Sequence, residues 1–148
     1  MSDNVMIVTT ADPLAMPPEE RRNAALALLG DLRPEGEEPE LVVSDTPIFF
    51  SGVEAAGSVY CPFCGMELDD WFSDEQDRLE ESDPSALATT TPCCNRQTSL
   101  NDLDCDGEQG FGCVAIEIWN PGDDLEPAEL QQLEAALGVP VRVIWQRI

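Results

Sequence analysis

Five of the six cysteines fall between residues 58 and 110, and this clustering constrains the fold more than any other feature of the chain. The sequence contains neither histidine nor lysine, so cysteine must supply most ligands of any metal site. In a reducing compartment, patterned cysteines favour a metal site over disulfides. We expect that compartment to be the cytoplasm, because the acidic N-terminus and the short apolar runs give no signal peptide or membrane span.

The most informative cysteine motif is Cys61-Pro62-Phe63-Cys64-Gly65. Two thiolates separated by two residues can bind one ion because the chain turns between them, and the glycine permits the positive φ that directs backbone N–H groups toward the sulfurs. The pentapeptide resembles the knuckle of zinc-ribbon proteins, and the resemblance implies structural zinc. A redox Cys-x-x-Cys pair is the alternative, but such a pair starts a helix, whereas the strand-like Val59-Tyr60 precedes this one.

A second knuckle is expected some tens of residues downstream, and Thr89 to Asn95 is the candidate. Cys94 occupies the position of the second ligand, while Thr91 stands where the first cysteine belongs. Cys93 then serves through a distorted turn, or else Cys105 or Cys113 completes the set. The predicted metal ligands are Cys61, Cys64, Cys93 and Cys94.

Four thiolates would fill the tetrahedron of a Zn²⁺ ion and leave no position for water or substrate, so the predicted zinc is structural. Its expected task is to hold together a polar segment with too little apolar content to fold alone. Buried free thiols that act as small apolar side chains are the alternative interpretation.

The two ends of the chain follow the same β-α-β pattern. Residues 4–50 predict a strand, a helix that begins at Pro17-Pro18 and ends at Gly30, and a second strand with an interruption. Residues 113–148 predict a strand, a helix between Pro127 and Gly138, and a last strand. We therefore predict an α+β fold, a split β-α-β sandwich of the ferredoxin-like kind. Residues 1–148 would form a single domain in which 58–110 is an inserted zinc-bound lobe.

Both helices are expected on one face of the sheet, and the lobe on the other. The leucines predicted to line the helix side are Leu26, Leu29, Leu130, Leu133 and Leu137. Their predicted partners in the sheet are Ile7, Val42, Ile116, Ile118, Val143 and Trp145. The opposite face would hold Phe49, Phe50 and Val114, covered by Tyr60, Trp71 and Phe111.

The charge balance excludes several classes of partner. Thirty acidic residues and seven arginines give a net charge of −23, which repels nucleic-acid phosphates and anionic membranes. We predict a non-enzymatic binding or regulatory protein whose acidic surface engages a basic protein partner. The alternative is an enzyme, either a thiol redox protein using Cys61 and Cys64 or a hydrolase using acidic side chains.

Two acidic stretches need a separate interpretation. Residues 102–107 match the opening of a calcium loop, but the closing glutamate falls at Cys113, which favours a solvated acidic turn. Within residues 69–72, Trp71 and Phe72 are expected to pack the lobe onto the sheet, with an exposed aromatic anchor as the alternative. The acids that follow predict a solvated helix face: Asp74, Glu75, Asp77, Glu80 and Glu81.

Beyond the knuckle, the whole chain resembles small acidic proteins of actinobacteria that carry the same cysteine pattern. This resemblance implies one zinc-bearing α+β domain and carries no particular activity or partner.

Overall fold

The computed structural model describes residues 3–51, 58–83, 85–105 and 109–147. Within these ranges the chain forms a mixed α/β structure with three α-helices and an antiparallel main sheet. The helices are α1 (Glu19–Leu32), α2 (Asp69–Glu81) and α3 (Pro127–Leu137). The strands are β1 (Asn4–Thr10), β2 (Glu40–Ser51), β3 (Val59–Tyr60), β4 (Ala88–Thr90), β5 (Gln97–Ser99), β6 (Asp104–Cys105), β7 (Gln109–Trp119) and β8 (Val141–Arg147).

The described strands of the main sheet lie in the order β2-β7-β1-β8, and each neighbouring pair is antiparallel. Because β1 and β2 both run antiparallel to β7, they are parallel to each other with β7 between them. By the same reasoning β7 and β8 are parallel, with β1 between them. The two β-α-β units predicted from the ends of the chain are thus interleaved, so that each contributes a central strand of the sheet.

Helices α1 and α3 pack on the same face of the sheet, as predicted. Leu29 of α1 and Leu133 of α3 are fully buried in one apolar cluster with Met6, Ile116 and Ile118. Trp145 and Leu137 belong to the same cluster, and Leu26 and Val143 pack against it. This cluster is the main core, and it depends on the helical spacing of the leucines.

Four predictions about core positions were wrong: three residues lie on the other face of the sheet, and one is less buried than expected. Ile7 and Val42 lie in the cluster on the other side of the sheet, because Met6 and Val8 take the helix side and strand residues alternate between faces. The same alternation places Val114 on the side of Ile116, not opposite it. Leu130 is only half-buried and lies outside the helix-side cluster.

The face away from α1 and α3 is closed by curvature of the sheet itself. Val5, Ile7 and Phe50 are buried there together with Ala115 and Ile144. Strands β2 and β8 are at opposite edges of the sheet, yet the side-chain amide of Gln146 donates to the carbonyl of Ser51 at 2.9 Å. A register shift in β2 between Val43 and Ile48 permits this bend, and it is the predicted interruption of the strand.

Residues 58–105 pack against one end of the sheet. Phe72 of α2 contacts Phe49 of β2 edge-to-face at 5.7 Å, and Phe49 contacts Phe111 at 5.0 Å. Phe72 and Phe111 belong to one buried apolar cluster. Trp71 packs against this cluster, as predicted, whereas Tyr60 is not part of it. Phe111 belongs to β7 and not to the segment that covers the sheet, since β7 begins four residues earlier than the predicted strand.

The helix ends follow local sequence signals with one correction. Pro127 is the first residue of α3, and Gly138 ends it in the left-handed conformation with φ 81°. Gly30 does not end α1, which continues to Leu32 and is closed by a bond from the Arg33 N–H to the Leu29 carbonyl at 3.0 Å. In the part of the chain that is described, no helix is long and apolar enough to cross a membrane.

Candidate metal centre

Two turns of the same geometry carry the clustered cysteines. In the first, the N–H of Cys61 donates to the carbonyl of Met66, and the N–H of Gly65 donates to the carbonyl of Cys61, both at 2.9 Å. In the second, Thr91 and Arg96 form the equivalent outer bond at 2.9 Å. The bond from the Asn95 N–H to the Thr91 carbonyl, also 2.9 Å, completes the match. Both turns therefore have the same backbone geometry, which is compatible with a pair of knuckles even though the sequence of the second departs from the pattern.

The residue that follows the last cysteine of each knuckle has a positive φ. Gly65 has φ 77° and Asn95 has φ 55°. Glycine and asparagine are the residues that adopt this left-handed conformation at least cost. The role predicted for Gly65 is thus confirmed, and Asn95 has the same role in the second knuckle.

The two knuckles bring four sulfur atoms together. The Sγ atoms of Cys64 and Cys93 are 3.4 Å apart, and those of Cys61 and Cys94 are 4.0 Å apart. All four sulfurs lie within 4.8 Å of one another. Zn–S bonds of about 2.3 Å in a tetrahedron place sulfurs about 3.8 Å apart. The cluster therefore fits one metal ion at its centre with only small adjustments.

Thr91 explains how the second knuckle differs from the first. Its side chain is 1% exposed, and its hydroxyl accepts a hydrogen bond from the N–H of Arg96 at 3.2 Å. In the first knuckle the equivalent position is Cys61, also 1% exposed. Because a hydroxyl fills this slot, the second knuckle supplies its sulfurs from two adjacent residues, Cys93 and Cys94.

The thiols of the cluster affect each other's ionisation. Burial alone would raise the pKa of Cys61, but the N–H groups of Phe63 and Cys64 donate to its sulfur and lower the pKa to about 6. Hydrogen bonding with Cys64 and burial raise the pKa of Cys94 to about 12. Burial and the neighbouring Cys61 raise the pKa of Cys93 as well. Raised pKa values keep Cys93 and Cys94 protonated at neutral pH, whereas a nearby divalent ion would favour their thiolate forms.

Two further cysteines, Cys105 and Cys113, were the alternative ligands. Cys113 is buried in β7 and does not join the four clustered sulfurs. The side chain of Cys105 lies outside the described residues, as do Asp106 and Gly107 of the calcium-like sequence. Asp102 and Asp104 of that sequence are exposed.

Helix α2 connects the two knuckles. At its start, the carboxylate of Asp69 accepts a hydrogen bond from the N–H of Val59 at 2.7 Å, just before the first knuckle. Further along, Glu75 accepts a bond from the hydroxyl of Thr89 at 2.9 Å, just before the second knuckle, and pairs with Arg78. Glu75 is therefore not part of the solvated face predicted for this helix. No sequence signal distinguished it from its acidic neighbours.

The remaining acids of α2 point into solvent as predicted: Asp74, Asp77, Glu80 and Glu81. Phe72 is buried and Trp71 is half-buried, which confirms that these aromatics pack the segment onto the sheet. Helix α2 thus has an apolar side that faces the sheet and an acidic side that faces solvent.

One pair of carboxylates comes together in the sheet. Glu40 of β2 lies directly opposite Glu117 of β7 in the antiparallel register. Burial, and then repulsion from Glu40, raise the pKa of Glu117. Among the described residues, however, the cysteines form the one cluster of three or more metal-ligating groups, so no third carboxylate converges on this pair.

No protein-family model, curated protein or solved structure matches this chain. The four-cysteine cluster is therefore the feature on which a functional conclusion must rest.

Proposed function

We propose that this chain is a non-enzymatic zinc protein, with one structural Zn²⁺ held by Cys61, Cys64, Cys93 and Cys94, and that its acidic surface engages a basic protein partner. The observation that carries the metal part is the approach of all four sulfurs to within 4.8 Å of one another. Sulfur ligands in a tetrahedral set select zinc or an iron–sulfur centre, and the double knuckle is typical of zinc.

The role of the ion follows from the closed ligand set. Four thiolates leave no open position on Zn²⁺, so the ion would stabilise the fold and would not activate a water or substrate. It would join the knuckle after β3 to the knuckle after β4. Since Asp69 and Glu75 bond the strands that enter these knuckles, the ion would also fix α2 against the sheet.

We further propose that 58–110 is a zinc-bound lobe inserted into a single domain, and that the rest of the chain is a split β-α-β sandwich of the ferredoxin-like kind. The strand order β2-β7-β1-β8, with one helix in each β-α-β unit, supports this proposal. The apolar cluster around Phe72 and Leu79 is small, so this short segment buries little apolar surface of its own. A bound metal would supply the stability that the cluster does not.

The partner part of the proposal rests on charge. A net charge of −23 creates a field that attracts and steers cationic proteins, and it repels nucleic acids and anionic lipids. Helix α2 contributes seven acids and one arginine, and that arginine is paired with Glu75. Binding to a basic partner would therefore weaken steeply as salt rises.

A thiol redox enzyme that uses Cys61 and Cys64 is the second candidate, and the low pKa of Cys61 favours it. The two candidates differ in whether the thiols are free. Metal-bound thiolates react with a thiol reagent only after chelation, whereas redox-active thiols react at once.

Metal analysis of full-length protein purified without added metal tests the proposal. We expect close to one zinc per chain, four cysteines that become reactive only after chelation, and a loss of several kcal/mol of unfolding free energy when the metal is removed. Cys64→Ser should lose the zinc, while Cys113→Ala, the matched control outside the cluster, should keep it. A metal-free protein with freely reactive thiols and an unchanged cooperative unfolding transition would contradict the metal site.

The partner is tested separately. The protein is immobilised and exposed to a lysate of its source organism, beside an unrelated protein of similar net charge. We expect basic proteins to be retained selectively on the first and released by 0.5 M salt, a concentration at which exposed charges are screened beyond roughly 4 Å. Equal retention on both surfaces would show that no specific basic partner is recognised.

A further inference from the structure

An apolar groove lies where α2 meets the irregular part of β2. Its lining includes Phe49, Leu79 and Phe111 as the floor, with Thr46, Pro47 and Gln76 at the edges, and its volume is about 260 Å³. We propose that this groove is the docking site for the basic partner, and that it takes one bulky apolar side chain of a segment that also carries arginine or lysine. The inference rests on the proposed function, and it names the surface through which the basic partner would bind.

The size of the groove favours a single side chain as the occupant. Sites for small molecules and cofactors have volumes of roughly 300–1,000 Å³, above the 260 Å³ found here. Protein interfaces, by contrast, take much of their affinity from one or two aromatic or aliphatic side chains inserted into apolar pockets. The rings of Phe49 and Phe111 contact each other at a tilt of 45° with centroids 5.0 Å apart, and they offer an apolar floor of that kind.

The charges around the groove specify a basic segment. Glu80 of α2 lines the groove itself, and Asp77 is exposed one turn earlier on the same helix. On the other wall, exposed Asp45 directly precedes Thr46. Arg78, the one arginine of α2, is paired with Glu75. Cationic groups on both sides of the inserted side chain would therefore meet carboxylates, whereas a second copy of this chain would bring like charges together.

The walls of the groove come from distant parts of the sequence. Thr46 and Pro47 lie within the register shift of β2, between Val43 and Ile48, where the strand bends away from its regular path. The other wall is α2, which is fixed by its bonds to the strands before the two knuckles. The groove thus exists only when α2 is held in place.

The test uses metal-replete, full-length protein and two fluorescein-labelled peptides, Gly-Arg-Arg-Trp-Arg-Arg-Gly and its Trp→Ala counterpart of equal charge. Fluorescence anisotropy at 50 mM salt should show at least tenfold tighter binding of the tryptophan peptide. Thr46→Tyr, which fills the groove from its half-exposed edge, should reduce this preference to less than twofold and leave binding of the alanine peptide unchanged. Gln76→Tyr fills the opposite edge and serves if the first variant fails to fold.

The acidic rim is tested with a matched pair of double variants. Asp77→Asn with Glu80→Gln should weaken binding of both peptides at least fivefold more than Glu19→Gln with Glu20→Gln, which removes the same charge from α1. Equal effects of the two pairs, or a tryptophan preference that survives both groove-filling variants, would overturn the docking site.

Other outcomes separate this inference from the proposed function. Equal binding of the two peptides to the native chain would overturn the groove alone and leave a general acidic surface. Binding of neither peptide would contradict both the groove and the basic partner. If sedimentation detects a dimer and Thr46→Tyr abolishes it, the occupant of the groove is a second copy of this chain. If tryptophan amide binds tightly, the occupant is a small molecule. Either result overturns the proposal.

Discussion

Arg33 at the end of α1 and Glu129 in the first turn of α3 form a bidentate ion pair, with both N–O distances 2.8 Å. The pair is largely enclosed, since Arg33 is 8% and Glu129 is 17% exposed. Glu129 also accepts a hydrogen bond from the N–H of Glu126 at 2.9 Å and so closes a capping box at the start of α3. One carboxylate thereby fixes the start of α3 and joins it to the end of α1.

This carboxylate gives the fold a defined response to acid. The hydrogen bond from Arg33, and then that from the Glu126 N–H, lower the pKa of Glu129 from 4.5 to about 2. A lowered folded-state pKa means that the pair stabilises the fold above pH 4.5 and loses this effect as the pH falls toward 2. Glu129→Gln should therefore unfold more easily than the native chain at pH 7, with a difference that shrinks progressively below pH 4.5. Urea unfolding of both proteins from pH 7 to pH 2.5 measures the difference, with Glu20→Gln as control; a difference independent of pH would contradict the assignment.

Leu133 and Leu130 of α3 provide a matched test of the helix-side core. Leu133 is fully buried in that core, so Leu133→Ala should lower the free energy of unfolding by roughly 2–5 kcal/mol. Leu130 is half-buried and lies outside the cluster, so Leu130→Ala should cost less than half as much. Chemical denaturation checks both values. Equal losses would show that the two leucines are buried to the same extent.

Gly112 allows a close approach between β7 and β1. A Cβ atom at this position would lie 2.0 Å from the hydroxyl oxygen of Thr9, which donates to the Val114 carbonyl at 2.8 Å. Gly112→Ala should therefore lower the free energy of unfolding by about 1–3 kcal/mol through overpacking. Thr9→Ala should itself be destabilising, but Gly112→Ala should cost much less in the Thr9→Ala background. Additive losses in this double-mutant cycle would show that the two residues do not clash.

Thr91 is predicted to position the second knuckle without touching the metal. Thr91→Val keeps the shape of the side chain but removes the hydroxyl that bonds the Arg96 N–H. We expect zinc affinity to fall about tenfold, as for other residues that orient ligands, while one zinc per chain still binds. Competition with a fluorescent chelator measures the affinity. Thr98→Val, in the neighbouring strand β5, is the control, and an unchanged affinity in Thr91→Val would contradict the positioning role.

Much of the candidate site was predictable because its signals are local. Cys61 and Cys64 are separated by the spacing of a metal-binding turn, and Gly65 follows where a positive φ is needed. The second knuckle was harder to identify, since Thr91 replaces its first cysteine. Cys94 and the φ-permissive Asn95 were nevertheless enough to locate it.

The sequence by itself determined the order of helices and strands in the outer parts of the chain. Pro127 and Gly138 set the bounds of α3 through their own backbone preferences, and the leucine spacing set its buried side. Such properties depend on residues a few positions apart, so they can be inferred without knowing the path of the chain.

Only the tertiary structure decided which distant residues meet. Cys93 and not Cys113 joins the sulfur cluster because of how the two knuckles pack. Glu75 differs from its solvent-exposed acidic neighbours because the hydroxyl of Thr89 lies within hydrogen-bond distance of it. The face taken by Ile7 depends on strand register, which a shift of one residue reverses. The groove between β2 and α2 likewise joins segments about thirty residues apart. These contacts are set by packing of the whole chain, because similar local sequences could satisfy several pairings and burial of apolar surface selects among them.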